Sequence, residues 1–155
     1  MNDSKSAELI EKQILWLRRD ISTTPMHLIK LVYIAHGWML GLHDRSLTYE
    51  DVFAWQYGPV IPSTYHRYKE FKAGDIMIDL IDRTEDFKEE QSRLIQKVVD
   101  AYRGHSARLL STITHEEGTP WDITRRKFGD GCIIPNTMIK EHYKKLARER
   151  PRKSR

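Results

Sequence analysis

Between Pro25 and Leu42 the chain reads PMHLIKLVYIAHGWMLGL, with apolar residues at almost every helical position. Leu28, Ile29, Leu31, Val32, Tyr33, Ile34, Ala35, Trp38 and Met39 leave almost no polar face. A helix that is apolar nearly all round has to be covered on all sides. The stretch is too short to span a bilayer, and Lys30 and His36 interrupt it. It therefore predicts a central, buried helix over residues 25 to 42. Its polar members, His27, Lys30 and His36, mark where it reaches the surface or a buried partner.

The rest of the 155 residues has to supply the cover, and with 39% hydrophobic and 31% charged residues it is composed like a soluble globular domain. Ile10, Ile14, Leu17 and Ile21 form one stripe of a helix spanning about residues 6 to 20. Thr24 suits the cap of the central helix and Pro25 its first position. Residues 52 to 57 then alternate, with Phe53, Trp55 and Tyr57 on one side and Ala54 on the other, which predicts a short strand. Gly58-Pro59 is expected to end it, since proline donates nothing to a sheet ladder. A helix from Pro59 or Pro62 to Phe71 follows, with Tyr65 and Tyr68 projecting from it.

Residues 76 to 81, IMIDLI, read as a second short strand or an extended cover. Further helices are expected over 85 to 103, from Ser106 to near Gly118, and from Thr119-Pro120-Trp121-Asp122 onward. Cys132-Ile133-Ile134 reads as a small strand, and Pro135-Asn136 opens a last helix that runs to Arg148 before Pro151 stops it. The predicted fold class is mainly α: a single compact domain of about seven helices with a small two- or three-stranded sheet. It is expected to occupy residues 1–148, with 149–155 a basic flexible tail.

Familiar catalytic chemistry does not assemble from these residues. His115-Glu116-Glu117-Gly118-Thr119 lacks the second histidine of a helical zinc pair. Ser63, Ser106 and Ser111 sit in no nucleophile elbow. Gly129-Asp130-Gly131 leads into an apolar stretch rather than into a helix start with a basic anchor. Neighbouring helical residues do not face each other, so His115 with Glu116 or Glu117 makes a poor acid–base pair. The single cysteine, Cys132, excludes an intramolecular disulfide and reads as a small buried residue. No catalytic residue, cofactor or metal is expected. The opening MNDSKSAEL lacks the pattern of a secretory leader, which points to a cytoplasmic protein with no membrane partner.

Charge separates along the chain. Residues 75 to 90 sum to −5 and residues 140 to 155 to +6, out of a net +4. The seven residues 149 to 155 alone carry +3, so basicity belongs mainly to the tail and nucleic acid is not the expected main partner. Such runs usually solvate a face; where they meet a partner they select it and speed encounter.

Three motifs in order carry a resemblance: KLVYIAHGW at 30 to 38, FAWQYGPVIPSTY at 53 to 65, and LLSTITHEEGTPW at 109 to 121, followed by a closing helix with Ile139 and Tyr143. Together they resemble the Panacea domain, the SocA-like antitoxin family, which includes GepA-like phage-associated proteins. The resemblance covers about residues 8 to 146. It implies an antitoxin of a toxin-antitoxin system, not an enzyme, that neutralises a cognate toxin protein by direct contact. It further implies, for the SocA type, delivery of the toxin to a cytoplasmic protease.

Lys30, Leu31, Tyr33, Trp55, Tyr57, Gly58, Pro59, His115, Pro120 and Trp121 occupy the motif positions. Most of them read as structural, and Trp55 and Trp121 as core. Tyr57, Tyr65, Arg67, Tyr68 and His115 are the candidates for partner contact, because tyrosine hydroxyls favour a wet edge. On this reading Tyr68→Ala spares the fold and weakens toxin binding. Two other functions stay open: a nucleic-acid-binding regulator using the basic C-terminal region, and an enzyme using His115.

Overall fold

The computed structural model describes residues 3–149. Of the expected tail, residues 149–155, Glu149 is described and ends the last helix, while residues 150–155, and with them the stop at Pro151, lie outside the described residues. Seven α-helices are found among them: α1 (Ala7–Leu17), α2 (Pro25–His43), α3 (Pro62–Tyr68), α4 (Glu89–Ala101), α5 (Ala107–Thr114), α6 (Pro120–Phe128) and α7 (Asn136–Glu149). Three short strands, β1 (Val52–Trp55), β2 (Gly58–Val60) and β3 (Ile133–Ile134), form an antiparallel sheet in the order β2-β1-β3.

Helix α2 is the centre, as its sequence requires. Helices α1, α3, α4, α5 and α7 and strand β2 all pack on it, and every residue from Leu31 to Leu40 is buried. Thr24 Oγ1 accepts from the His27 amide at 3.3 Å, with Pro25 in the first turn. Each polar residue of α2 has found a partner. His27 Nε2 donates to the His105 carbonyl at 3.2 Å. His36 is fully buried; its Nδ1 accepts from the Thr48 amide at 3.4 Å and its Nε2 donates to Asn136 Oδ1 at 3.0 Å. That pair of bonds fits the neutral ring, which burial favours by lowering the imidazole's pKa. Lys30 is described with the site below.

The sheet departs from expectation in an instructive way. Strand β1 stops at Trp55, Gln56-Tyr57 form the turn, and Gly58-Pro59 belong to β2 instead of ending β1. Proline is tolerated because Ala54, its partner in register, directs its amide and carbonyl to the other side, to the Cys132 carbonyl at 2.8 Å and the Gly131 amide at 2.9 Å. Pro59 therefore faces β1 where no ladder donor is needed, on an edge strand. Residues 76 to 81 form an extended cover and not a strand. Ile76, Ile78 and Leu80 lean on the core while Met77 and Ile81 face outward. Helix α4 starts at Glu89, later than expected; residues Thr84–Asp86 make a separate 3₁₀ turn. Cys132 is half-buried, and its Sγ donates to the Phe128 carbonyl at 3.1 Å.

Helix α7 approaches α2 closely through a notch at Gly37 and Gly41. A Cβ on Gly37 would sit 2.3 Å from Tyr143 Cε2, and one on Gly41 would sit 2.7 Å from Tyr143 Cβ. The Tyr143 ring is held edge-on between Tyr33 at 6.2 Å and Trp38 at 5.0 Å, so it has little room to withdraw. Gly→Ala inside a helix ordinarily stabilises by about 1 kcal/mol. Here Gly37→Ala is expected to destabilise by about 2 kcal/mol, because overpacking wins. Gly104→Ala, where nothing lies within 4 Å, is expected to change stability by less than about 0.5 kcal/mol. Urea melts of the two variants check the contrast.

Candidate functional site

The three sequence motifs meet at the tip of the β1–β2 hairpin. Trp55 pairs with Gly58 across the two-residue turn. Gly58 has φ +119°, a conformation that side chains strongly disfavour. A Cβ there would also lie 2.5 Å from Lys30 Nζ. The position thus excludes other residues twice, by backbone and by space. Lys30 reaches out of α2 and donates to the Tyr57 carbonyl at 3.0 Å and the Pro59 carbonyl at 3.2 Å. The first belongs to the turn and the second to the outward side of edge strand β2, so the ammonium covers the start of an edge that would otherwise be open. Only 3% of Lys30 is exposed. Burial, with no carboxylate to offset it, pulls its pKa down to about 8.

The other side of the hairpin is held from α6. Trp121 Nε1 donates to the Trp55 carbonyl at 2.5 Å, and Arg125 Nη1 donates to the same oxygen at 3.1 Å. The Arg125 guanidinium also lies over the Trp121 ring, 4.8 Å from its centroid. Thr119 caps α6 and Pro120 fills its first turn, which fixes Trp121 in position. His115 stands at the C-terminal end of α5 and sets its ring edge-on to Trp121 at 5.3 Å. Its Nδ1 is buried with no bond partner among the described residues. Leu31 and Tyr33 are buried in the core. The motif residues are thus mostly occupied with one another, in clamping the hairpin to α2, α5 and α6.

Two of the predicted contact residues remain open. Tyr57, in the turn, is 70% exposed, and Tyr65, on α3, is 40% exposed with its ring 5.5 Å from Trp55. Beside them runs a groove of about 400 Å³, floored by Met26, Ile29, Trp55 and Val60 and edged by Lys30, Lys69 and Lys72. Lys69 Nζ lies 5.9 Å from the Tyr65 ring centroid.

Two other candidates are placed elsewhere. Tyr68 is 3% exposed and its hydroxyl is buried, so it belongs to the core and not to a wet edge. Arg67 is engaged with the buried Glu11, at 2.7 Å from Nε and 2.9 Å from Nη2, in a cluster that Thr64 completes. Helix α3 turns its Tyr68–Arg67 side inward toward α1 and leaves Tyr65 and His66 out. Sequence reasoning missed Arg125, Lys69 and Lys72. The first two were within reach: each stands four residues after an aromatic, Trp121 or Tyr65, which is one helical turn. Among the described residues no three His, Cys, Asp or Glu side chains gather as a metal-ligand group, and no helix is long and apolar enough to cross a membrane.

The family model described as "Antitoxin SocA-like, Panacea domain" matches residues 28–122. The chain belongs to this family. The matched span encloses the clamp from Lys30 to Trp121 and leaves out Arg125 along with α1, β3 and α7. A curated relative, "Antitoxin SocA" of Caulobacter vibrioides (strain NA1000 / CB15N), is 28% identical over 143 residues, covering 81% of this chain and 74% of that protein. No solved structure matches. Within this Panacea domain, the motif positions form a structural lock around a hairpin, beside which the exposed aromatics stand.

The Lys30 environment sets a pH signature. Between about 8 and the ordinary 10.5, the unfolded chain holds a proton that folded Lys30 has released. Stability therefore rises with pH in that window and is flat with respect to this group below it. The gain from pH 7.5 to 10 is expected to be on the order of 2 kcal/mol. Above pH 10 the buried tyrosines Tyr33, Tyr68 and Tyr143, whose hydroxyls burial holds protonated, act in the opposite direction. Denaturant melts at successive pH values measure the slope, and Lys30→Met is expected to remove it.

Proposed function

We propose that this protein is a non-catalytic antitoxin that acts in the cytoplasm by binding a toxin protein directly, with the hairpin tip and its groove as the contact face. Membership of the SocA-like Panacea family supports the class of function. The observation that carries the choice of face is the division of labour among the aromatics. Trp121 and the Trp55 carbonyl are spent on holding the hairpin, whereas Tyr57 and Tyr65 are exposed on it. Exposed tyrosines on a rigid support bind with little loss of side-chain entropy and are frequent interface anchors. Lys30 and Gly58 supply that rigidity from below. Delivery of the bound toxin to a cytoplasmic protease is the second step proposed for this protein, supported by its membership of the SocA-like family alone.

Co-expression with the protein encoded beside it tests the reading, scored by growth rescue and co-purification. The full chain is expected to rescue growth and to hold the toxin. Tyr57→Ala and Tyr65→Ala are each expected to weaken the complex about tenfold or more while leaving the melt unchanged. Tyr68→Ala, by contrast, is expected to destabilise the domain by about 3 kcal/mol or more through the cavity it leaves. Absence of both rescue and complex with every adjacent protein would overturn the proposal.

A further inference from the structure

The groove beside Tyr57 and Tyr65 has a chemistry of its own. Its floor is apolar, and Lys30, Lys69 and Lys72 line it with no acidic residue among the lining side chains. Lys12, Lys88 and Lys140 are paired with Glu8, Asp3 and Asp44, whereas the groove lysines have no acid beside them in the lining. Neither Lys69 nor Lys72 makes an ion pair among the described residues. Lys72 also holds a left-handed backbone, φ 52° and ψ −120°, where a lysine is strained and a glycine would not be. A cation is thus kept on the rim at some conformational cost.

We propose that this groove takes a segment of the partner protein in which an apolar or aromatic side chain is flanked by carboxylates. The side chain seats between Met26, Ile29 and Val60 against the edge of Trp55, and the carboxylates meet Lys69 and Lys72. Volume sets the class of occupant. About 400 Å³ accommodates one or two side chains. A single-stranded nucleic acid would need a basic track several nucleotides long, with aromatics spaced for successive bases. The aromatics here are instead stacked edge-on, Trp55 to Tyr65. The inference rests on the antitoxin reading only in identifying that partner as the toxin; the groove chemistry is tested apart from it.

The probe is a capped hexapeptide with a central Phe-Leu pair and two aspartates on each side, titrated into the full-length protein and followed by amide NMR shifts. Shifts are expected at Met26, Ile29 and Tyr65, with affinity falling as salt is raised. Lys69→Glu with Lys72→Glu is expected to lower affinity about tenfold, and Lys69→Arg with Lys72→Arg to retain it. Equal binding by a peptide with lysines in place of the aspartates, or by an octathymidylate, would overturn the proposal. So would no shift at these residues up to about 5 mM peptide, a limit corresponding to barely measurable affinity. The co-expression assay separates the two readings. Rescue by wild type and equally by the charge-reversed variant sinks the groove inference and leaves the antitoxin reading standing. Peptide binding as expected, with no rescue by wild type, does the reverse.

Discussion

Helix α2 has no polar face, and most of the other elements are placed by the need to cover it. Five helices and strand β2 pack on it. Its residues make one buried run from Leu31 to Leu40. Each of those five helices covers one sector of a single cylinder. The Gly37–Gly41 notch lets α7 come close enough for Tyr143 to fill the space between Tyr33 and Trp38.

Lys30 turns this packing constraint into a site. It projects from the buried helix, and its ammonium ends on two hairpin carbonyls, one in the turn and one on the outer strand. A buried ammonium without a carboxylate is unfavourable by several kcal/mol unless its donors are satisfied. The hairpin carbonyls satisfy two of the three, and in exchange the strand edge is closed. Gly58 makes the approach feasible, and Trp121 with Arg125 fixes the opposite strand through the Trp55 carbonyl. The turn between them is held on both sides, so Tyr57 is exposed without being loose.

Much of this was legible in the chain. The order of seven helices follows from apolar periodicity and from caps whose geometry is local: Thr24-Pro25, Ser106 and Thr119-Pro120 all behave as their residue types demand. The motif spacing was enough to place the family. The hairpin was misread at Gly58-Pro59, because proline's lack of a donor looks like a stop until the register shows that Pro59 needs none. Tyr68 of α3 was misread for a related reason. Tyr65 and Tyr68 are three residues apart and look alike in sequence, yet α1 packs on the Tyr68 side with Glu11 and Arg67 in between.

The sequence by itself determined what had to be buried and where helices begin, since both depend on residues within a turn or two of each other. It also marked Lys30, Gly58 and Trp121 as positions that matter together. Tertiary structure alone decided what each does: that Lys30 is an edge cover, that Trp121 is a clamp, and that Tyr57 and Tyr65 stay free while Tyr68 and Arg67 do not. Those outcomes depend on contacts between residues tens of positions apart, and no local pattern specifies which side of a short helix the rest of the chain will cover.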